Sequence, residues 1–325
     1  MHYVVLDLEW NQCPQGKKKE NPRLPFEIIE IGAVLLDENF REIGQFAESI
    51  RPLVYRRMHY RTREVLDIEL KDLRKARSFS SVIRDFFAWV PDDAKFCTWG
   101  PSDLLELQRN MAYYRLKNPL PFPLLYYDAQ KLFSLLYDDG KNRLALAKAA
   151  EALGITSDRP FHHAVDDAYY TALILQHMDF ERVKEYLSVD YFRIPSSPDE
   201  EFLLRFPNYT KWVSRGFASR EEALRDKNVT SLRCYECSRI MRRRLRWFTG
   251  NAHYYLGLAY CPKHGYVKGK LRIKKALDGS TFVVKTVKLV SPERAESVRQ
   301  RQEDIRAKRK AKRHRKIEES RTEEE

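Results

Sequence analysis

The chain contains no run of 18 uncharged apolar residues, which excludes a membrane-spanning helix. Its opening residues, MHYVVLDLEW, carry no basic stretch ahead of an apolar one and reach an acid at Asp7. They read as the first strand of a fold rather than a signal peptide. Cysteine is scarce, five residues in 325, too few for a disulfide framework, so a reducing cytosolic setting is expected. No internal repeat is present, which argues against a solenoid. Acid is scarce in one region only. Residues 234–290 hold 13 Lys/Arg against Glu236 and Asp278, a net of +11, and residues 291–325 add a net of +3. Since the whole chain carries +13, residues 1–233 sit near −1. With 43% hydrophobic residues and a mean hydropathy of −0.59, the chain is neither wholly disordered nor lipid-embedded. A near-neutral body carrying a basic module suggests a polyanion partner, although charge alone fits a merely solvated surface equally well.

Apolar and β-branched runs at 3–8, 28–36 and 43–50 predict three consecutive strands with short connections, an antiparallel meander. Beyond Tyr60 the period becomes helical. Phe79, Val82, Ile83, Phe86, Phe87 and Val90 form one stripe. Short strands are expected at 95–98 and 125–127, and helices from Ser102-Asp103 to about 114, at 129–137, at 143–153 with Gly154 as its stop, and at 165–178. The first part of the chain is therefore read as α/β.

Acids gather where this scheme ends its elements. Asp7 and Glu9 stand two apart on a strand, so both carboxylates face one side, shared with Val5. Two acids there are unfavourable without a cation. Asp103 opens a helix just past a strand end, and His162 and Asp167 bracket the start of the last helix. Taken singly, Asp103 and Asp167 read as helix N-terminal acids and His162 as an ordinary histidine. Oxygen ligands drawn from several segments are what hard ions such as Mg²⁺ require.

In order, Asp7-x-Glu9, then Asp103 within Trp99-Gly-Pro-Ser-Asp103, then His162-x-Ala164-x-x-Asp167 resemble the three motifs of the DEDDh 3′→5′ exonucleases over roughly residues 2–180. Glu27-Ile-Ile-Glu-Ile-Gly-Ala33 supports the likeness, and Asp-Leu-Glu-Trp-Asn with Trp99-Gly100 is most similar to the Eri-like, KapD-like branch. The resemblance implies an RNase H-like fold with a mixed five-stranded sheet flanked by helices. It also implies two Mg²⁺ or Mn²⁺ ions on Asp7, Glu9, Asp103 and Asp167, with His162 as general base. Nucleoside 5′-monophosphates would leave the 3′ end of a single strand, RNA ahead of DNA on branch resemblance. A single-stranded DNA exonuclease of the proofreading or repair type and a non-catalytic nucleic-acid-binding adaptor are the rival readings. Trp10 and Asn11 are placed by the resemblance at the terminal nucleotide, with Trp10 reading equally as core.

Cys234-x₂-Cys237 and Cys261-x₂-His264 make two knuckles, matching a closed tetrahedral Zn²⁺ site of structural type, with paired disulfides as the alternative. Gly265 permits a tight turn after the last ligand. Between the knuckles, Arg242, Arg243 and Arg244 precede Trp247, and an alternating stretch runs from His253 to Tyr260. These arginines and the tryptophan are assigned to nucleic-acid capture, against a reading in which aromatics form a small core under solvated arginines. The expected organisation is an exonuclease domain over 1–190, a linker with some helix over 191–230, a zinc-ribbon-like β-rich basic module over 231–290, and a charged tail over 291–325, helical or disordered.

Overall fold

The computed structural model describes every residue except 67–69, 157–158, 252–253 and 323–325. The chain divides into two compact units, Met1–Arg193 and Ile194–Glu325.

In the first unit β1 (Tyr3–Gln12), β2 (Phe26–Leu36) and β3 (Glu42–Ser49) form the antiparallel meander that the apolar runs predict. Two short helices follow, α1 (Tyr60–Val65) and α2 (Leu70–Leu73), then α3 (Phe79–Trp89), whose apolar stripe is buried. After them come β4 (Lys95–Thr98), α4 (Ser102–Tyr113), β5 (Leu125–Asp128), α5 (Ala129–Tyr137), α6 (Leu146–Ala152) and α7 (Ala164–His177). Gly154 ends α6 in the left-handed region at φ 66°. The strand order is β3-β2-β1-β4-β5-β6, with β4 and β5 parallel to β1 and to each other.

This sheet has six strands rather than five. The sixth, β6 (Ser188–Val189), pairs antiparallel with β5 at Tyr126 and Leu125. Two residues are too few to show any period in sequence. What holds β6 is Lys131, whose buried Nζ donates to the carbonyls of Tyr186 and Leu187. Alternation along β1 divides two cores. Tyr3 and Val5 face α5, α6 and α7, while Val4, Leu6 and Leu8 face α3 and α4.

The second unit departs most from expectation. Residues 202–213, read as linker, form a hairpin of β7 (Phe202–Phe206) and β8 (Tyr209–Val213). β8 pairs with residues some seventy positions later, a partnership no local signal announces. Two short helices, α8 (Arg220–Arg225) and α9 (Lys227–Thr230), precede β9 (Arg243–Asn251), β10 (Tyr254–Cys261), β11 (Gly265–Lys275) and β12 (Thr281–Leu289). The result is a six-stranded sheet ordered β7-β8-β12-β11-β10-β9, larger than a zinc ribbon. His253, where an alternating strand was expected to start, lies outside the described residues; β10 begins at Tyr254. The charged tail is a helix, α10 (Pro292–Thr322), pinned early by buried Ala295 and Val298. Among the described residues no helix is long and apolar enough to cross a membrane.

One glycine sets the distance between sheet and helix in the first unit. A Cβ built on Gly32 would lie 2.0 Å from both the Ala164 carbonyl carbon and the Val165 nitrogen, so the backbone of α7 rests directly on β2. Gly32→Ala should therefore destabilise the protein by about 2–3 kcal/mol, read as a lower denaturation midpoint. An unchanged midpoint would show that α7 can lift off this strand freely.

Candidate active site

Asp7 and Glu9 lie near the C-terminal end of β1, on the Val5 side of the sheet, opposite Gly32 and Glu30 of β2. β1 pairs with β4 only from Tyr3 to Val5, so its edge beyond that point is open on the β4 side. Asp103 enters that opening. It stands in the first turn of α4, is 5% exposed, and its carboxylate accepts from its own amide and from that of Leu8. The opening of parallel strands toward their C-terminal ends is where open α/β sheets build sites.

From the opposite face α7 delivers the rest. Its close seat on Gly32 brings Asp167, in the first helical turn, to Asp7 and Glu9, and one carboxylate oxygen from each lies within 4.8 Å of the others. Asp103 is not within that triplet, yet among neighbouring charges it raises the pKa of Asp7 most. His162 is exposed just outside α7 with φ 75°, a left-handed conformation uncommon for a residue with a Cβ. Its amide donates to Asp167 Oδ1 at 3.3 Å. The adjacent acid, Asp166, faces another way and pairs with Arg159 at 3.3 Å.

Burial and mutual repulsion act together on these acids. Desolvation first, then Asp103, Asp167, Glu9 and Glu30, push Asp7 well above the usual carboxylate range. Burial followed by Asp167, Glu30 and Asp103 takes Glu9 to about 8, and burial takes Asp103 to about 7 against the two amides that favour its ionised form. Such a set matches a divalent cation: hard oxygen donors, converging, and ionised at neutral pH only when positive charge is supplied.

Sequence reasoning missed Glu30 as part of the site, although it lies within the string that supported the family likeness. Directly across from Glu9, it accepts from the Ala164 amide at 3.2 Å and stands 3.7 Å from His163 Nδ1, holding the start of α7 to the sheet. The buried Asn11 side chain is committed to the fold: it donates to the carbonyls of Tyr55 and Arg57 and accepts from the amides of Gln12 and His59. Glu27, also buried, accepts the amides of Leu53, Val54 and Tyr55 and the Tyr114 hydroxyl. Together they clamp an arginine-rich segment, with exposed Arg56, Arg57, Arg61 and Arg63, against β1 and β2. Trp10 is half-buried against Phe26, ring centroids 5.5 Å apart.

In the second unit Cys234, Cys237, Cys261 and His264 converge. Cys237 and Cys261 sulfurs lie 3.8 Å apart, and His264 Nδ1 is 3.4 and 3.6 Å from the sulfurs of Cys234 and Cys261. A tetrahedron of bonds near 2.3 Å has edges of about 3.8 Å, so the four donors match zinc. No disulfide forms, as all five cysteines are free thiols. Although burial opposes it, the amides of Lys263 and His264 bring Cys261 down to about 6. Gly265 turns the chain at φ 85°.

Arg242, Arg243 and Arg244 are exposed at and just before the start of β9, and the Arg244 guanidinium lies 5.6 Å from the centroid of the Tyr260 ring. Trp247 is half-buried: its Nε1 donates to the Thr230 carbonyl and its ring packs above Gly257 and Gly269, where a Cβ would sit 2.9 and 2.5 Å from it.

Residues 4–175 match the RNase_T family, described as exonuclease. Solved structures with a similar fold include cell-death related nuclease 4 (CRN-4), 19% identical with TM-score 0.48 over 58% of this chain and 66% of that one. The nuclease domain of 3′hExo, a DEDDh family member bound to rAMP, is 20% identical with TM-score 0.48, covering 58% and 96%. E. coli exonuclease I bound to an oligonucleotide is 18% identical with TM-score 0.42, covering 57% and 42%. The chain thus spans just under two thirds of CRN-4 and less than half of exonuclease I. None of the curated proteins matches.

The acid cluster dictates a pH response. Folded-state pKa values raised above the ordinary 4.5 and 3.8 mean the folded protein binds these protons more tightly than the unfolded chain. Without added cation, the site's stabilising contribution is full below about pH 4 and is lost as pH rises through about 7 and 8. Mg²⁺ should accordingly raise the melting temperature more at pH 8 than at pH 5, and Asp7→Asn should flatten the cation-free profile. A Mg²⁺ shift equal at both pH values would contradict this account.

Proposed function

The chain belongs to the RNase_T exonuclease family, and from that premise we propose that its first unit removes nucleotides from the 3′ end of single-stranded nucleic acid, RNA ahead of DNA. The observation that carries this reading is the convergence of Asp7, Glu9 and Asp167 with Asp103 alongside. These four would hold two Mg²⁺ or Mn²⁺ ions, which when bound polarise the scissile phosphate and lower the pKa of the attacking water. Asp7, facing every other acid, is the group whose loss removes most from the site. His162 accepts the proton of the attacking water at its imidazole nitrogen, acting as general base. Its amide bond to Asp167 keeps base and ligand in fixed relation. Trp10 offers an apolar surface to the terminal nucleotide, while Asn11 acts through the segment it clamps, whose arginines offset the repulsion between an acidic centre and a phosphodiester.

In the second unit one Zn²⁺ on Cys234, Cys237, Cys261 and His264 has a structural role, since all four positions are filled by protein. Arg242, Arg243 and Arg244 belong to nucleic-acid capture. Free thiols throughout suit a reducing compartment such as the cytosol.

The reading is tested by digesting 5′-labelled RNA and DNA of one sequence with Mn²⁺ present. A ladder shrinking from the 3′ end is expected, faster on RNA, and lost in Asp7→Ala. His162→Ala should lower kcat by about 10²–10⁴-fold. A faster DNA ladder would select the DNA exonuclease; binding without cleavage would select the adaptor. For the second unit, metal analysis should find one zinc per chain, absent from Cys261→Ser together with the cooperative melting of that unit. Unaltered melting in a zinc-free variant would remove the structural role.

A further inference from the structure

On β11 of the second sheet apolar and cationic residues alternate between the two faces, and the cationic face also carries the buried Leu256 and Leu258 of β10. Val267, Leu271 and Ile273 of β11 join the cores beneath α8, α9 and the cysteine knuckles. The intervening residues Lys268, Lys270 and Arg272 emerge on the other face at intervals of about 6.7 Å. Strand register sets Lys288 of β12 directly beside Lys268. α10 then brings two more cations to the same place, because buried Ala295 and Val298 fix its first turns and so seat Arg294 and Arg301. Arg301 donates to the Tyr254 hydroxyl at 2.8 Å and to the Gly250 carbonyl.

None of these six cations forms an ion pair with a carboxylate among the described residues. A solvated surface ordinarily intersperses the two signs. Here burial, then Arg294, Lys288, Lys270 and Arg301, draw Lys268 down to about 8, and burial with Arg272 and Arg301 lowers Lys270. The fold thus holds like charges together that an anion would relieve. Aromatic rings line the same face. Lys270 Nζ is 4.2 Å from the Tyr254 centroid, Tyr260 and Tyr266 meet edge to face at 5.1 Å, and Tyr260 is 37% exposed.

We propose that this face, with Lys268, Lys270 and Arg272 in a row flanked by Lys288, Arg294 and Arg301, binds the sugar–phosphate backbone of a single nucleic-acid strand, a base stacking on Tyr260. The choice of nucleic acid over another polyanion rests on the exonuclease reading. Cations at strand spacing neutralise successive phosphates, and an exposed phenol ring accepts a base of any identity. This surface differs from the arginines 242–244 at the start of β9, and Arg244, placed over Tyr260, links the two.

The test compares Arg272→Gln/Lys288→Gln/Arg294→Gln, all exposed positions, with a control of equal charge loss in the first unit, Lys75→Gln/Arg84→Gln/Lys148→Gln. Both are made in the full chain carrying Asp7→Asn, so that turnover does not consume the probe. Binding of fluorescein-labelled oligouridylate and oligothymidylate is followed by anisotropy over a series of salt concentrations. The sheet variant should keep its zinc and melting temperature, bind at least about tenfold more weakly at low salt, and lose about two units of the log–log salt slope. The control should retain the parent slope. An unchanged slope in the sheet variant, or an equal change in both, overturns the proposal. So does competition by polyglutamate as effective as by oligonucleotide, which would assign the face to an acidic protein. Failure of the exonuclease reading registers elsewhere, as the absence of any cleavage ladder from the unsubstituted chain.

Discussion

Electrostatic repulsion among buried carboxylates is the constraint around which the first unit is arranged. Asp7 is surrounded by Asp103, Asp167, Glu9 and Glu30, each of which disfavours its ionisation. The cluster survives folding because backbone donors meet its other acids from two segments, β1 and the start of α7. The Leu8 amide serves Asp103, the His162 amide serves Asp167 and the Ala164 amide serves Glu30. The positive end of α7 points at the same cluster, which favours negative charge there. Each donor depends on a backbone arrangement set elsewhere: β1 must outrun β4, and α7 must lie on Gly32. The left-handed His162 belongs to the same scheme, since the chain turns there to aim its amide at Asp167.

A second set of buried polar groups shapes what surrounds the cluster. Asn11 and Glu27 direct most of their hydrogen bonds to the segment between residues 53 and 59. Because Asn11 lies two residues after Glu9 on one strand, the position of that arginine-bearing segment is tied to the position of the acids. An acidic centre and a cationic margin are then held at fixed separation, the arrangement needed to draw a polyanion toward groups that would otherwise repel it. In the second unit one face of the sheet packs against apolar residues and the cysteine knuckles, and the other gathers cations beside tyrosines.

Much of this was legible because it is local. Strand and helix periods repeat over two to four residues, so β1 to β5 and α3 to α7 follow from apolar spacing within a few residues of their ends. The i, i+2 acids, the helix-opening Asp103 and Asp167, and the two-residue gaps of the cysteine knuckles are likewise short-range patterns. Each is imposed by pleat, helix turn or ligand bite.

What remained hidden is non-local. The hairpin at 202–213 looks like a linker because its partner strand lies seventy residues on, and β6 is too short to carry a period. Asn11 reads as a site residue by position, yet the carbonyls that claim its side chain come from more than forty residues away. Trp247 stands among arginines in the sequence, yet Gly257 and Gly269 open a groove that half-buries its ring. Which acids, histidines and cysteines could act, and on which elements they stand, follows from neighbours along the chain. Which of them meet, which polar groups are consumed in holding the fold, and where the cations gather depend on backbones brought together across long stretches of sequence, and so emerge only from the folded chain.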